Sequence, residues 1–251
     1  MAAGFPRATA ESFIDSLARS GQQSVDSFLE HRPDFLAVGK RAIAEVLVPC
    51  ENPAILFARR PDHLYDYIIR ALNCPVDQFG RNRLSVITFN YDRSFEFYLA
   101  QVLEHKYKLQ SEDARELGGA VQVVHVHGQL GTLERRGYSP ASQGAEAHAA
   151  AEGIKVVHED VATSPEFNAA RLLVQSAERI VFLGFGFLEK NVERLQVERR
   201  RSGYQTFGSA YGFTDIEKGY IRERFGNSIL LGAPDHGCVE FLRHNVRLAD
   251  V

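Results

Sequence analysis

The sequence predicts an α/β protein in which a doubly wound parallel sheet follows a helical lobe. Three observations carry this reading. From Leu84 onward, short apolar β-rich runs alternate with helical stretches, as crossovers between parallel strands require. The run Ile180 to Leu183 is uninterruptedly apolar, the pattern of a strand buried on both faces. Polar residues and glycines gather where such runs end, at L-S-V-I-T-F-N-Y-D-R-S-F-E-F (Leu84 to Phe97), V-V-H-V-H-G (Val123 to Gly128) and I-V-F-L-G-F-G-F (Ile180 to Phe187). An open α/β sheet presents ligand-binding groups at such junctions.

The elements follow in order. Thr9 or Ser12 is expected to cap a helix carrying Phe13, Ile14 and Leu17 that ends near Gly21. Val25, Phe28 and Leu29 keep helical spacing up to Pro33, and Phe35, Leu36, Ile43, Val46 and Leu47 extend a stripe that stops at Pro49. Asp62 is expected to cap a helix in which Leu64, Tyr67, Ile68, Ala71 and Leu72 recur at three and four. Residues 1–80 thus read as a mostly helical lobe and 81–251 as the sheet, within one domain.

Leu84 to Phe89 is a strand, and Ser94 to His105 a helix with Phe95, Tyr98, Leu99 and Val102 inward. Gly118-Gly119 marks a turn before a second strand, Ala120 to Val126. The stretch Gly131 to Gly153, rich in Gly, Ala, Ser and charge, reads as a long surface loop or lid. Ser164-Pro165 starts a helix through Phe167, Leu172, Leu173 and Val174. After Ile180 to Leu183 come a helix from Glu189 to Arg201, a strand from Ser209 to Phe213, and a capping box at Thr214-Asp215-Ile216-Glu217. A short strand, Ser228 to Leu231, and a closing helix, His236 to Asn245, complete the chain.

Composition narrows the function classes. With 45% hydrophobic and 24% charged residues, the 251-residue chain has ordinary globular usage and enough length for a substantial core. A formal net charge of −3 gives no general attraction to nucleic acid or anionic membrane. No apolar run approaches the roughly 18 residues of a membrane span, and M-A-A-G-F-P-R lacks a secretory pattern, so a cytoplasmic protein is expected. Cys50, Cys74 and Cys238 are widely spaced and read as small buried or half-buried residues, with neither a zinc ribbon nor a disulfide framework. Arg199-Arg200-Arg201 reads as a solvated helix end.

The junction residues suit nucleotide chemistry. Asn90 offers a donor and an acceptor, Asp92 can accept from a ribose hydroxyl or stabilise positive charge, and His127 is a natural base near neutral pH. Gly184 and Gly186 let backbone N–H groups approach a phosphate or ribose. Each also has a plainer reading. Asn-Tyr-Asp after a strand makes a turn and helix cap, His125 is a core or edge residue, and Gly-Phe-Gly-Phe permits close helix–sheet packing. No G-x-S-x-G elbow of a serine hydrolase occurs.

T-F-N-Y-D-R-S-F-E, H-V-H-G and F-L-G-F-G-F, in this order, resemble the sirtuin-like NAD-consuming domains of bacterial antiphage defence. Those show a T-x-N-Y-D motif, an H-x-H-G motif and a later G-Y-S-F-like turn. The resemblance spans about Ser24 to His244; Gly186 stands where Ser is usual and Glu189 where Asp is common. It implies a Rossmann-like sheet with an inserted helical lobe, and NAD⁺ cleaved to nicotinamide and ADP-ribose. Asn90, Asp92 and His127 take catalytic positions under it. Thr88, Asn90, Asp92, Gly128, Gly184, Phe185 and Gly186 take nucleotide-binding positions. NAD is the substrate, no metal is implied, and lack of the paired cysteines of sirtuin deacylases argues against protein deacylation.

The chain departs from the family in one respect. The family opens with a strand and a Gly-Ala-Gly-x-Ser-like phosphate loop, whereas only Gly4 is glycine in Met1 to Ser12 and no G-x-G-x-x-G occurs. A sheet without that strand is expected to leave two edges unpaired, favouring a homo-oligomer or a partner protein. The alternative reading is an impaired nucleotide-sensing or interaction module.

Overall fold

The computed structural model describes residues 4–22, 24–140, 145–156, 164–197 and 204–248. The N-terminal lobe is helical: α1 (Arg7–Arg19), α2 (Val25–His31), α3 (Leu36–Leu47), α4 (Pro53–Leu56) and α5 (Leu64–Ala71). Then come β1 (Ser85–Thr88), α6 (Ser94–Tyr107), α7 (Ser111–Gly118), β2 (Gln122–His125), α8 (Ala145–Glu152), α9 (Pro165–Ser176) and β3 (Arg179–Phe182). The remainder is α10 (Glu189–Leu195), β4 (Gln205–Gly208), α11 (Asp215–Arg224), β5 (Ile229–Leu231) and α12 (Cys238–Asn245). None of the described helices is long and apolar enough to cross a membrane.

The strands are parallel, as expected, but they form two small sheets instead of one. β1 pairs with β2 from Ser85↔Gln122 to Thr88↔His125, and β3, β4 and β5 form the other sheet in that order. Ile87 and Val124 of the first sheet share a cluster with Ile180 and Phe182 of the second, beneath Phe167, Ala170 and Val174 of α9. On the other face, Ile68 of α5 borders two clusters, one that Leu84, Val86 and Val123 also pack against and one that Val181 and Leu183 also pack against. The clusters on both faces thus draw residues from both sheets, with α9 on one face and α5 on the other.

Contacts at the two ends orient β1 and β3. Arg83, before β1, pairs with Glu178, before β3, at 3.3 Å, while Phe89 and Phe185, after those strands, have ring centroids 5.3 Å apart. The strands run side by side in one direction without pairing. Ile180 and Val181 are consequently half-buried, not enclosed on both faces as their composition predicts.

Local chemistry explains most boundaries. Ser164 accepts from Phe167 N, and Thr214 with Glu217 forms the expected capping box. α1 starts instead at Arg7 after Pro6, without a side-chain cap, and His63, not Asp62, caps α5. His63 Nδ1 accepts from Asp66 N while Nε2 donates to Leu56 O at 2.6 Å, a bond between segments that sequence spacing does not reveal. Helix α7 has no counterpart among the elements expected from the sequence. The last long strand is Gln205–Gly208 and not Ser209 to Phe213, because Ser209 turns inward and its hydroxyl accepts from Gly184 N.

The stretch expected as a loop or lid contains α8, whose Ala147, Ala150 and Ala151 are buried against the lobe. Small side chains let α8 lie close to α3, so low hydrophobicity there reflects tight packing and not exposure. In the same core Phe13, Phe28 and Phe35 make ring contacts of 5.8 to 5.9 Å. Cys50 is exposed, against expectation, whereas Cys74 and Cys238 are half-buried. Helix α10 stops at Leu195, with Gln196 left-handed at φ 54°; Arg199, Arg200 and Arg201 lie outside the described residues.

Candidate functional site

The parallel pairing of β1 with β2 brings their C-terminal ends together, and with them Asn90, Asp92, His125 and His127. Thr88 Oγ1 accepts from Asn90 N at 3.1 Å, which turns the chain off the strand and leaves the Asn90 side chain exposed. Asp92 Oδ1 accepts from Ser94 N at 3.1 Å, placing a carboxylate at the start of α6, where the helix dipole favours it. Alternation along N-Y-D then turns Tyr91 the other way.

His125 belongs to the Asp92 side. Its Nδ1 lies 2.9 Å from the Asn90 carbonyl and its Nε2 2.7 Å from a Glu96 carboxylate oxygen. Both partners only accept, so both ring nitrogens donate when the ring is an imidazolium. Burial pulls the His125 pKa down, but the Glu96 hydrogen bond and charge, with the Asn90 carbonyl and Asp92, outweigh it and the net shift is upward.

His127 is only 7% exposed, and its Nδ1 is buried with no hydrogen-bond partner among the described residues. Phe89, Phe167 and Tyr91 surround its ring at centroid distances of 5.4, 5.8 and 6.4 Å. Burial lowers its pKa, partly offset by the Asp26 charge, so the neutral ring is favoured at pH 7. Beside it, the Tyr91 hydroxyl donates to Asp26 Oδ1. One turn along α2, Glu30 receives Arg194 at 2.9 Å and Lys190 at 3.2 Å, tying the lobe to α10.

The structure therefore sorts the sequence-predicted catalytic residues into two adjoining groups. Asn90 and Asp92 stand with His125 and Glu96; His127 stands with Tyr91 and Asp26. Sequence reading missed Tyr91 and Asp26 as site neighbours. Tyr91 lies inside the N-Y-D motif, but Asp26 is 65 residues away and nothing local couples the two.

A buried ion cluster anchors the first group. Glu51 and Arg93 are each 1% exposed, and the Glu51 carboxylate receives both Arg93 and Arg136. Arg93 also donates to the Thr132 carbonyl at 3.0 Å and the Gly137 carbonyl at 3.3 Å. This fixes the start of α6, hence Asp92, against residues 130–138. Tyr138 closes the corner: its hydroxyl is 2.8 Å from Ser94 Oγ and its ring stacks on Phe97 at 4.3 Å.

The predicted glycines have mixed roles. Gly128 is left-handed at φ 74°, and a Cβ there would collide with the Gly153 carbonyl. It is the point where residues 127–131 cross 153–155, joined by Lys155 N to His127 O at 2.7 Å. Gly184, at φ 60°, donates to Ser209 Oγ at 2.9 Å. Gly186 is exposed, and a Cβ there would meet nothing within 4 Å, so packing does not demand glycine. Phe185 reaches the site through Phe89, which lies between it and His127. Phe187 adopts φ 49°, unusual for a bulky residue, and is held by Phe182, Phe185, Phe213 and Phe225. Glu189 opens the following helix and pairs with Arg224 at 3.1 Å.

An open depression of about 680 Å³, lined by Arg59, Arg60, His63, Asp66 and Arg70 among others, includes none of the predicted site residues. Comparison with protein-family models, curated proteins and solved structures gives no match.

Proposed function

We propose that the chain is a sirtuin-like NAD⁺ glycohydrolase acting in antiphage defence, and that its two sheets are the halves of one doubly wound layer. The supporting observation is His127: a buried imidazole, favoured neutral, whose Nδ1 has no partner among the described residues, near the Asn90–Asp92 turn at parallel strand ends. Nicotinamide in NAD⁺ is already cationic. Breaking its bond to ribose releases neutral nicotinamide and leaves an oxocarbenium-like ribose. Asn90 would orient the ribose and Asp92 would stabilise the developing positive charge. His127 would take the proton of the attacking water, giving ADP-ribose.

A second reading is favoured by the engagement of Asp92. Its carboxylate is engaged as a cap by Ser94 N, which suits an impaired module that senses a nucleotide without cleaving it. Chromatographic assay of nicotinamide release, with calorimetric titration of NAD⁺, separates the two. On the first reading the wild type releases nicotinamide, and His127→Ala or Asn90→Ala lowers the rate by about a hundredfold or more. Binding without release supports the second reading; no binding, alone or with a partner chain, overturns both.

A further inference from the structure

We propose that His236, Glu240 and His244 bind a divalent transition-metal ion of the zinc class. The site is separate from the nucleotide reading and does not depend on it. His236 lies on the connection from β5 into α12, one residue before the N-cap Gly237, while Glu240 and His244 lie one turn apart on the helix. Residues four apart share a helix face. One ligand atom from each of the three falls within 4.8 Å of the others. The His236 and His244 rings stack at 4.9 Å and 21°.

Donor chemistry selects the ion. Two imidazoles and one carboxylate suit zinc, nickel or copper and suit magnesium or calcium poorly. Zinc binds imidazole nitrogen at about 2.0–2.1 Å, so its donors stand roughly 3.3 Å apart, within reach by small side-chain rotations. His236 supplies a second, independent sign. Its Nδ1 is buried and has no hydrogen-bond partner among the described residues, and coordination through that atom would satisfy it. Because Glu240 and His244 are exposed, a bound ion would keep positions open to water. Arg243, the nearest cation in sequence, is directed over the Tyr67 ring at 5.7 Å. A bound ion would fasten the β5–α12 connection to the helix that covers Val181 and Phe207.

The test is calorimetric titration of the metal-stripped full chain with zinc chloride. One ion should bind, magnesium should give no signal, and His244→Ala should weaken zinc at least about tenfold. Glu240→Gln should weaken it less. His244 is exposed, so its replacement leaves packing intact, which circular dichroism checks directly. Cobalt(II) should give a visible absorption band without the near-ultraviolet band of a thiolate ligand, separating this site from the cysteines. No zinc binding, or binding unchanged in the His236→Ala, His244→Ala double variant, would overturn the proposal.

Discussion

His125 and His127 are two residues apart and titrate in opposite directions. The Glu96 hydrogen bond and charge favour the protonated form of His125, so its folded-state pKa lies above the ordinary 6.5. The stability it contributes is complete below 6.5 and is lost as pH rises through the folded value. His127 is held neutral by burial, so its folded-state pKa lies below 6.5. Its contribution is present above 6.5 and is lost as pH falls through the folded value. Urea unfolding from pH 5 to 8 should therefore show the wild type losing stability relative to His127→Gln on the acid side of 6.5. Relative to His125→Gln it should lose stability on the alkaline side. Each difference should have a slope of at most about 1.4 kcal/mol per pH unit. Differences that stay flat across both windows would show that neither ring is held as described. The same opposition matters to chemistry, since a pKa below 6.5 keeps His127 mostly neutral near pH 7, the form in which an imidazole acts as a base.

At the scale of elements, the backbone crossing at Gly128 controls where His127 sits. Two costs meet there: a left-handed φ of 74°, and a Cβ directed into the Gly153 carbonyl. Gly131 has a similar φ of 78° but nothing within 4 Å of its Cβ position. Gly131→Ala should cost about 1 kcal/mol, the left-handed penalty alone, whereas Gly128→Ala should cost more than about 2 kcal/mol. Denaturant unfolding measures both, and equal effects would mean that the crossing with residues 153–155 is not formed. The sequence exposes such features unevenly. The capping box at Thr214 and the helix start at Ser164 are legible because their partners lie three residues away. The cap at His63 is not, since its ring is fixed by a carbonyl seven residues earlier. Helix α8 is hidden because burial there relies on alanines, whose packing role depends on an α3 surface far away in sequence. N-Y-D-R and H-V-H-G mark two strand ends that the parallel pairing of β1 and β2 brings together. The face each residue takes, the Tyr91–Asp26 contact and the Glu51 cluster all depend on tertiary packing.

At the scale of the molecule, the divided sheet determines which backbone groups are left over. Ser209 N bonds Phe182 O and Gln205 N bonds Glu178 O, so residues 178, 180 and 182 direct both N–H and C=O toward β4. By the pleat, Arg179 and Val181 direct theirs toward β1. Val126 N bonds Thr88 O, so Val86 and Thr88 face β2 while Ser85 and Ile87 face β3. β1 and β3 thus turn unpaired rows toward each other, held at one end by Arg83 and Glu178 and at the other by Phe89 and Phe185. Amide exchange reads this pattern residue by residue. Ile87 and Val181 should exchange on the order of a hundredfold faster than their paired neighbours Val86 and Ile180. Equal protection of all four amides in dilute protein would mean that the two rows are already bonded, and that the divided sheet is not the form in solution. Protection of Ile87 and Val181 that grows with protein concentration would instead show a second copy supplying the missing bonds. Unpaired edges of this kind favour such pairing unless side chains screen them, and Ile87 and Val181 are only half-buried.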